Sequence, residues 1–399
     1  MVSAKKLKCS QCGKEYLPDM ITFRCECDGS LDLIYDYKKV RKLILMADFI
    51  RERPWHWKYW MFYPVDDLTQ AVSFEEGGTP LFLSKRIRKT VGLEVFFKYE
   101  GSNPTGSFKD RGSSIEITKA IELGANSVCC ASTGNMGASV SAYSAKAGIT
   151  CKVFVPEVTP SLKIAQILGC GAEVIRVEGN YADCLRLTEE ANRRYDVYLV
   201  GDYPYRSEGQ KSVGFEIVDQ FYWNVPDYII CPMGNGTLTR AIWKSFLELQ
   251  KVGLINELPK MVGIQAEGCH PIVDAFKYDY DKPIPIKKAH TIADAIACED
   301  PVDGYGALHA ILESGGFAET VTDNEIIAAQ KLLGHSEGLY AEPSGAVSTA
   351  GLIKYKEKFE GKKVVSIVTG HGLKRAPVGD MPEVMTIKND FDELDKIFP

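Results

Sequence analysis

Residues 100–112 read Glu100-Gly101-Ser102-Asn103-Pro104-Thr105-Gly106-Ser107-Phe108-Lys109-Asp110-Arg111-Gly112. Asn103, Pro104 and Gly106 are turn formers, and Ser113 to Ile121 carries the apolar spacing of a helix. The stretch delivers one lysine, Lys109, from a polar turn to a helix N-terminus. Partial positive charge there disfavours protonation of the amine. A deprotonated lysine is a nucleophile, used most often in Schiff-base chemistry with a carbonyl cofactor. A lone loop lysine is ordinarily just a solvated cation. The surrounding pattern decides between the two.

The chain has 399 residues, enough for two domains with substantial cores. A net charge of −6 argues against a broad nucleic-acid surface. No apolar run approaches a bilayer span, and no apolar segment follows the basic Lys5, Lys6 and Lys8, so neither a membrane anchor nor a secretory leader is expected. The twelve cysteines are scattered, many in apolar segments such as Cys129, Cys130, Cys151 and Cys231. That usage fits reduced thiols in a cytoplasm. Near the start, Cys9-x-x-Cys12 and Cys25-x-Cys27 are two tight pairs at hairpin separation. Four thiolates in that pattern would close a structural zinc knuckle with no open position for chemistry; the alternative is a small hairpin with free thiols.

From about residue 90, β-rich runs alternate with helical stretches. Strands are expected at 95–98, 127–131, 151–155, 173–177, 197–200, 228–232, 262–265 and 364–368. Helices are expected at 138–146, 161–168, 181–194, 209–220, 237–249, 323–333 and 346–354. Such alternation implies parallel sheets with helices on both faces. Residues 38–62, with Trp55, Trp57 and Trp60, read as a helix and connector covering a domain or subunit interface.

Four glycine-containing turns fall at strand ends: the lysine loop, Ser132-Thr133-Gly134-Asn135, Gly234-Asn235-Gly236-Thr237 and Thr369-Gly370-His371-Gly372. Turns that open a helix suit carboxylates and phosphates, because unpaired backbone N–H groups point outward. The third is not a dinucleotide fingerprint, since Thr239 stands where the last glycine belongs. Four such turns with a loop lysine call for a phosphorylated carbonyl cofactor, and pyridoxal 5′-phosphate (PLP) has that chemistry.

The run Asn103 to Gly112 resembles the PLP-lysine motif of threonine synthases, within the fold type II, tryptophan-synthase-β-like family. Gly77-Gly78-Thr79-Pro80, Ser132–Ser139, Glu208-Gly209-Gln210-Lys211, Gly234–Thr237, Glu342-Pro343-Ser344 and Thr369–Lys374 follow in the family's order, over about 75–375, and the cysteine knuckle is also similar to theirs. The resemblance implies an α/β fold type II architecture: two open, twisted, mostly parallel sheets flanked by helices, with a zinc-ribbon-like hairpin at 1–40. It implies a large domain at 41–113 and 206–399 and a small nested domain at 114–205 that closes over substrate, commonly in a homodimer. It implies that Lys109 binds PLP covalently and shuttles protons. Asn135 would reach the ring 3′-oxygen, Gly234, Asn235, Gly236 and Thr237 the phosphate, and Thr369 the pyridine nitrogen. Ser132, Thr133 and Gly134 would receive the substrate carboxylate, with Arg206 and, less directly, Lys211 at its phosphate.

The reaction so implied converts O-phosphohomoserine and water to threonine and phosphate. Several positions depart from the family pattern: Met136, Ala297 to Pro301, Gly236 and Arg375, and the segment Gly201-Asp202-Tyr203-Pro204, which lacks the usual asparagine. Glu299 and Asp300 would oppose a substrate phosphate if they faced it. A PLP enzyme performing β-replacement or β-elimination on phosphoserine, serine or threonine is the alternative reading. A non-catalytic binding protein on the same fold is more distant, because Lys109 is intact.

Overall fold

The structure, a computed structural model, describes residues 4–18, 23–46, 49, 52–132, 134–157, 159, 161–375 and 385–386. Strands β1 (Ala4–Cys9), β2 (Glu15–Tyr16) and β3 (Leu31–Tyr35) form an antiparallel sheet in the order β2-β1-β3. β4 (Leu81–Leu83) and β5 (Glu94–Tyr99) open the main sheet. The chain then builds a separate four-stranded parallel sheet from β6 (Ser127–Ala131), β7 (Thr150–Pro156), β8 (Glu173–Val177) and β9 (Tyr198–Leu199), ordered β8-β7-β6-β9. It returns to complete the main sheet with β10 (Tyr228–Pro232), β11 (Lys260–Ala266), β12 (Phe317–Val321) and β13 (Lys363–Val368). The main order is β12-β11-β10-β13-β5-β4, parallel except for β4.

The central strands are nearly continuous apolar runs because helices cover both their faces; Ile229, Ile230, Val364, Val365 and Ile367 have no exposed surface. Every expected strand and helix is present, and the 209–220 stretch divides into Pro204–Gln210 and Ser212–Gln220. The zinc-ribbon-like hairpin expected at 1–40 is a three-stranded sheet, and β4, β12 and the helices Ile87–Val91, Pro271–Lys277 and Gly304–Glu313 lie outside the expected elements. Trp57 is a core residue, 5% exposed, and its indole N–H donates to Glu76 and Ser114.

Topology places the four turns. The lysine loop follows β5, the Gly234 turn follows β10 and the Thr369 turn follows β13, and these strands are neighbours in the order β10-β13-β5. The Ser132 turn follows β6 of the other sheet. All four sit at carboxyl ends of strands, where ligands of open α/β sheets gather. The first and last are also tied directly, since Phe108 N donates to Thr369 O (3.1 Å) and His371 N to Gly106 O (2.9 Å).

Beneath the lysine helix (Lys109–Glu122) lies a buried ion cluster. Arg111 forks onto Glu100 through Nε (2.6 Å) and Nη2 (2.9 Å), and onto Glu216 through Nη1 and Nη2 (both 2.7 Å). Lys98 Nζ adds a bond to Glu216 (2.8 Å), and all four side chains are fully buried. Burial would push Glu100 and Glu216 up, but the facing cations hold both below the usual carboxylate range. The Gly77-Gly78-Thr79 motif is spent on this cluster. Gly78 N donates to Glu216 Oε1 (2.9 Å) and Thr79 Oγ1 to Glu100 Oε1 (2.7 Å). Gly77 has φ +81°, and a Cβ there would come within 2.4 Å of Glu216 Oε1.

The N-terminal sheet docks on two helices: Asp32 meets Lys244 (2.5 Å) and Arg240 (3.4 Å) of Thr237–Lys251, and Tyr35 donates to Glu208 (2.6 Å) of Pro204–Gln210. At its outer end the sulfurs of Cys9, Cys12, Cys25 and Cys27 all lie within 4.8 Å of one another. Two pairs stand at 3.6 Å (Cys9–Cys27) and 3.5 Å (Cys12–Cys25). Zn–S bonds of about 2.3 Å in a tetrahedron separate sulfurs by about 3.8 Å, so the set can hold one zinc ion. The N–H groups of Gln11 and Cys12 point at Cys9 Sγ, and the Tyr16 hydroxyl donates to Cys25 Sγ (3.2 Å), the kind of outer contact that orients metal ligands.

Arg111→Met is expected to lower stability by about 3–5 kcal/mol, because two carboxylates stay buried without their partner. Chemical unfolding measures this, and an unchanged midpoint would contradict the clamp. Metal analysis of purified protein is expected to find one zinc per chain, lost with Cys9→Ser; zinc retained in that variant would contradict the four-thiolate site.

Candidate active site

The cavity between the four turns has a volume of about 400 Å³. Its lining brings together Lys109, Ser132, Gly134, Asn135, Gly234, Asn235, Gly236, Thr237 and Thr369, all singled out from the sequence. Thr133 lies outside the described residues.

Lys109 is the first residue of its helix, and its side chain is 18% exposed, into this cavity. The preceding loop is held by Asp110, whose carboxylate accepts from Thr105 N (2.7 Å) and Thr105 Oγ1 (2.6 Å). Burial lowers the proton affinity of the Lys109 amine; nearby Asp202 raises it and Arg206 lowers it, with a net fall below the usual lysine value. The amine is thereby biased toward its nucleophilic form.

Across the cavity the Gly234–Thr237 turn opens the helix Thr237–Lys251, with Gly236 as its cap. Gly236 has φ +89°, and a Cβ there would meet the Asp303 carbonyl at 2.8 Å, so the 303 segment holds the turn tightly from outside. Thr237 Oγ1 is buried without a hydrogen-bond partner. An unpartnered hydroxyl beside free N–H groups at the start of a fifteen-residue helix is the chemistry a phosphate satisfies. The donor set therefore fits the phosphate of PLP, with the Lys109 amine in the same cavity for its aldehyde.

The Asn135 amide donates to Glu342 Oε1 (2.6 Å), which orients it at the cavity edge. Ser132 Oγ accepts from Gly134 N (3.2 Å) and Gly137 N (2.7 Å), shaping the turn at the start of the helix Asn135–Ala147. His371 packs its own turn, its Nδ1 accepting from Leu373 N (3.0 Å).

Two residues expected at the substrate phosphate lie away from the cavity in this structure. Arg206 does not line the cavity: it is fully buried, bonded to Glu116 (2.6 Å), the Gly201 carbonyl (2.9 Å) and the Lys109 carbonyl (3.4 Å). Lys211 is also fully buried and lies between Glu208 (2.5 Å) and Glu248 (2.8 Å) under the N-terminal sheet. Both cations are committed to carboxylates because an unpaired charge at that depth is prohibitively costly.

Other members of the lining had no site role from the sequence, although the charge of Glu299 was weighed and Glu342 stands in a family motif. Asp202, Tyr181, Asp294, Cys298, Glu299 and Glu342 all face the cavity. Asp202, Cys298 and Glu299 lie in the segments that depart from the family pattern, which was the available signal. Lys109 is the single Lys or Arg among the described lining residues, against four carboxylates.

A family model described as "Pyridoxal-phosphate dependent enzyme" matches residues 72–370. A threonine synthase of Methanocaldococcus jannaschii is 45% identical over 398 residues, covering 98% of each chain. One of Methanosarcina acetivorans is 46% identical over 375 residues, 92% of each. Among solved structures, maize serine racemase matches with TM-score 0.66 at 23% identity, covering 74% of this chain and 88% of that one. Threonine deaminase isoform 2 of Solanum lycopersicum matches with TM-score 0.66 at 19% identity, covering 96% and 98%. These structural likenesses carry the fold. With 299 of 399 residues inside the family model (72 through 370) and relatives alike across nearly their whole length, this chain belongs to the pyridoxal-phosphate dependent enzymes of fold type II, in the threonine synthase family.

Proposed function

We propose that the protein is a PLP-dependent lyase that converts O-phosphohomoserine and water to threonine and phosphate. The observation that carries this reading is the end-to-end likeness to the M. jannaschii threonine synthase, joined to a lysine amine in the cavity that all four turns enclose. PLP, when bound, supplies an electron sink for charge developing at substrate carbons. Lys109 would hold it covalently, and its amine, when free, would move protons at Cα and then Cβ of the substrate. The N-terminus of the helix Thr237–Lys251 holds the cofactor phosphate through backbone N–H groups and the Thr237 hydroxyl. Asn135 orients the ring from one edge, and the neutral Thr369 hydroxyl faces its nitrogen. A hydroxyl there supports pyridinium less than a carboxylate would, which favours elimination and replacement at side-chain carbons. Ser132, Thr133 and Gly134 receive the substrate carboxylate at the start of the helix Asn135–Ala147.

We take 41–113 and 206–399 as the large domain, 114–205 as the small one that closes and excludes water, and 1–40 as a structural appendage. A cytoplasmic homodimer is part of the same proposal. The eight cysteines outside the N-terminal cluster, none of them in a disulfide, support a reducing compartment.

One observation favours a second reading, β-elimination or β-replacement on serine or threonine. Arg206 and Lys211 are withdrawn into ion pairs while Asp202, Asp294, Glu299 and Glu342 face the cavity, a poor field for a substrate phosphate dianion. Incubating the holoenzyme with O-phosphohomoserine, O-phosphoserine, threonine and serine separates the two. Threonine and phosphate in equal amounts from the first substrate are expected. Release of 2-oxoacid and ammonia from serine or threonine, with no threonine formed, would overturn the main reading.

Lys109→Ala is expected to lose covalent PLP on borohydride reduction and at least about 10²-fold of activity. A reduced cofactor adduct still found in the variant would remove Lys109 from its role.

A further inference from the structure

Asp202 has no part in the roles above, yet its side chain is 5% exposed and one of its oxygens is aimed at the catalytic amine. Lys109 Nζ stands 3.6 Å from Asp202 Oδ1, and that oxygen is buried with no hydrogen-bond partner. The separation is too long for a hydrogen bond and short enough for an ion pair. The other oxygen is occupied: Asn235 Nδ2 donates to Oδ2 at 2.7 Å, while Asn235 Oδ1 accepts from the Cys298 thiol at 2.8 Å.

The backbone under Asp202 is clamped as well. Gly201 N donates to Glu116 Oε1 (2.9 Å), and Arg206 Nε donates to Gly201 O (2.9 Å). The same guanidinium bonds Glu116 Oε2 and, through Nη1, the carbonyl of Lys109 itself. Asp202 and Lys109 are therefore fixed to one buried pair, Arg206–Glu116, at a constant separation. This gives Arg206 a place in the site without contact to substrate.

We propose that Asp202 is a positioning residue for Lys109: its carboxylate, pinned by Asn235 and by the Arg206–Glu116 pair, holds the lysine nitrogen in one place and stabilises its protonated form. The proposal rests on the reading that Lys109 carries PLP. The groups acting on Lys109 are Asp202 on the 201–203 turn, Arg206 on the helix Pro204–Gln210 and Cys298 on the 297–303 segment. Tyr181, Asp294, Glu299 and Glu342 line the cavity further out. Burial and Arg206 both favour the neutral nitrogen; Asp202 is the largest of the groups that oppose them, with Cys298 a smaller one. The interaction runs both ways: burial would raise the Asp202 carboxyl, but Lys109 and Arg206 hold it low. A full negative charge therefore faces the amine through the neutral range. With the carboxylate removed, the protonated form loses its counter-charge and its titration moves to lower pH. A carboxylate beside a cationic nitrogen favours its protonated form, so the sign holds for the free amine and would hold for the cofactor-bonded nitrogen where it stays beside Asp202.

The test is the pH titration of the cofactor absorption band in reconstituted holoenzyme, comparing the parent with Asp202→Asn and Asp202→Glu. The asparagine keeps the shape and a partner for Asn235 but removes the charge. Its midpoint is expected to fall by about one to three pH units, with the glutamate variant closer to the parent. An unmoved midpoint in Asp202→Asn would overturn the proposal. If that variant takes up no cofactor, trinitrobenzenesulfonate labelling of Lys109 in the apoprotein, read by peptide mass spectrometry against pH, decides by the same criterion. Failure of the underlying reading has a different signature: a parent protein whose cofactor band is untouched by Lys109→Ala.

Discussion

Arg111 grips two carboxylates at once in a space that water does not enter, and the position of Lys109 follows from that grip. The guanidinium leaves the lysine helix two residues after Lys109, so fixing one fixes the other to within the play of a single helical turn. Glu100 arrives from the end of β5 and Glu216 from the helix Ser212–Gln220, which ties the helix to both sides of its sheet. Replacing the fork by a point charge would leave acceptors unpaired, and emptying it would strand two anions. Such a cluster contributes a definite geometry more than net stability. That is the requirement of a residue that must meet a cofactor carbon and then a substrate carbon.

The same economy of charge runs through the molecule. Arg111, Arg206 and Lys211 are all sealed in ion pairs, and Lys109 alone among the described lysines and arginines reaches the cavity. Arg206 and Glu116 stiffen the turn carrying Asp202, while Lys211, Glu208, Lys244 and Asp32 weld the N-terminal sheet to the helix whose first turn faces the cavity. Cofactor and substrate phosphates are thus left to backbone N–H groups, hydroxyls and one amine. Field strength then comes from oriented dipoles in a water-poor space, which cost no reorganisation as charge develops.

Much of this was legible in the chain. Strand runs such as Tyr228–Pro232 and Lys363–Val368 are buried on both faces and so read as near-continuous apolar stretches, and the turns after them carry their glycines openly. The four-thiolate knuckle was visible from spacing alone. Short edge elements were not: β4 has three residues, and the N-terminal sheet draws its stability from docking onto other parts of the chain. Arg206 and Lys211 lie away from the cavity for a reason the sequence hides. Whether Arg206 or Lys211 faces solvent, substrate or a carboxylate depends on Glu116 and Glu248, which lie far away in sequence and have no local signature. Asp202 was noticed only as a departure from a pattern; its meaning needed the 3.6 Å to Lys109.

The most direct measurement is a crystal structure of the holoenzyme. Continuous density from Lys109 Nζ into the PLP ring is expected, with the phosphate on the backbone N–H groups and hydroxyl of the Gly234–Thr237 turn. Lys109 detached from PLP, or the phosphate seated anywhere other than at the start of the helix Thr237–Lys251, would contradict the assignment of this cavity.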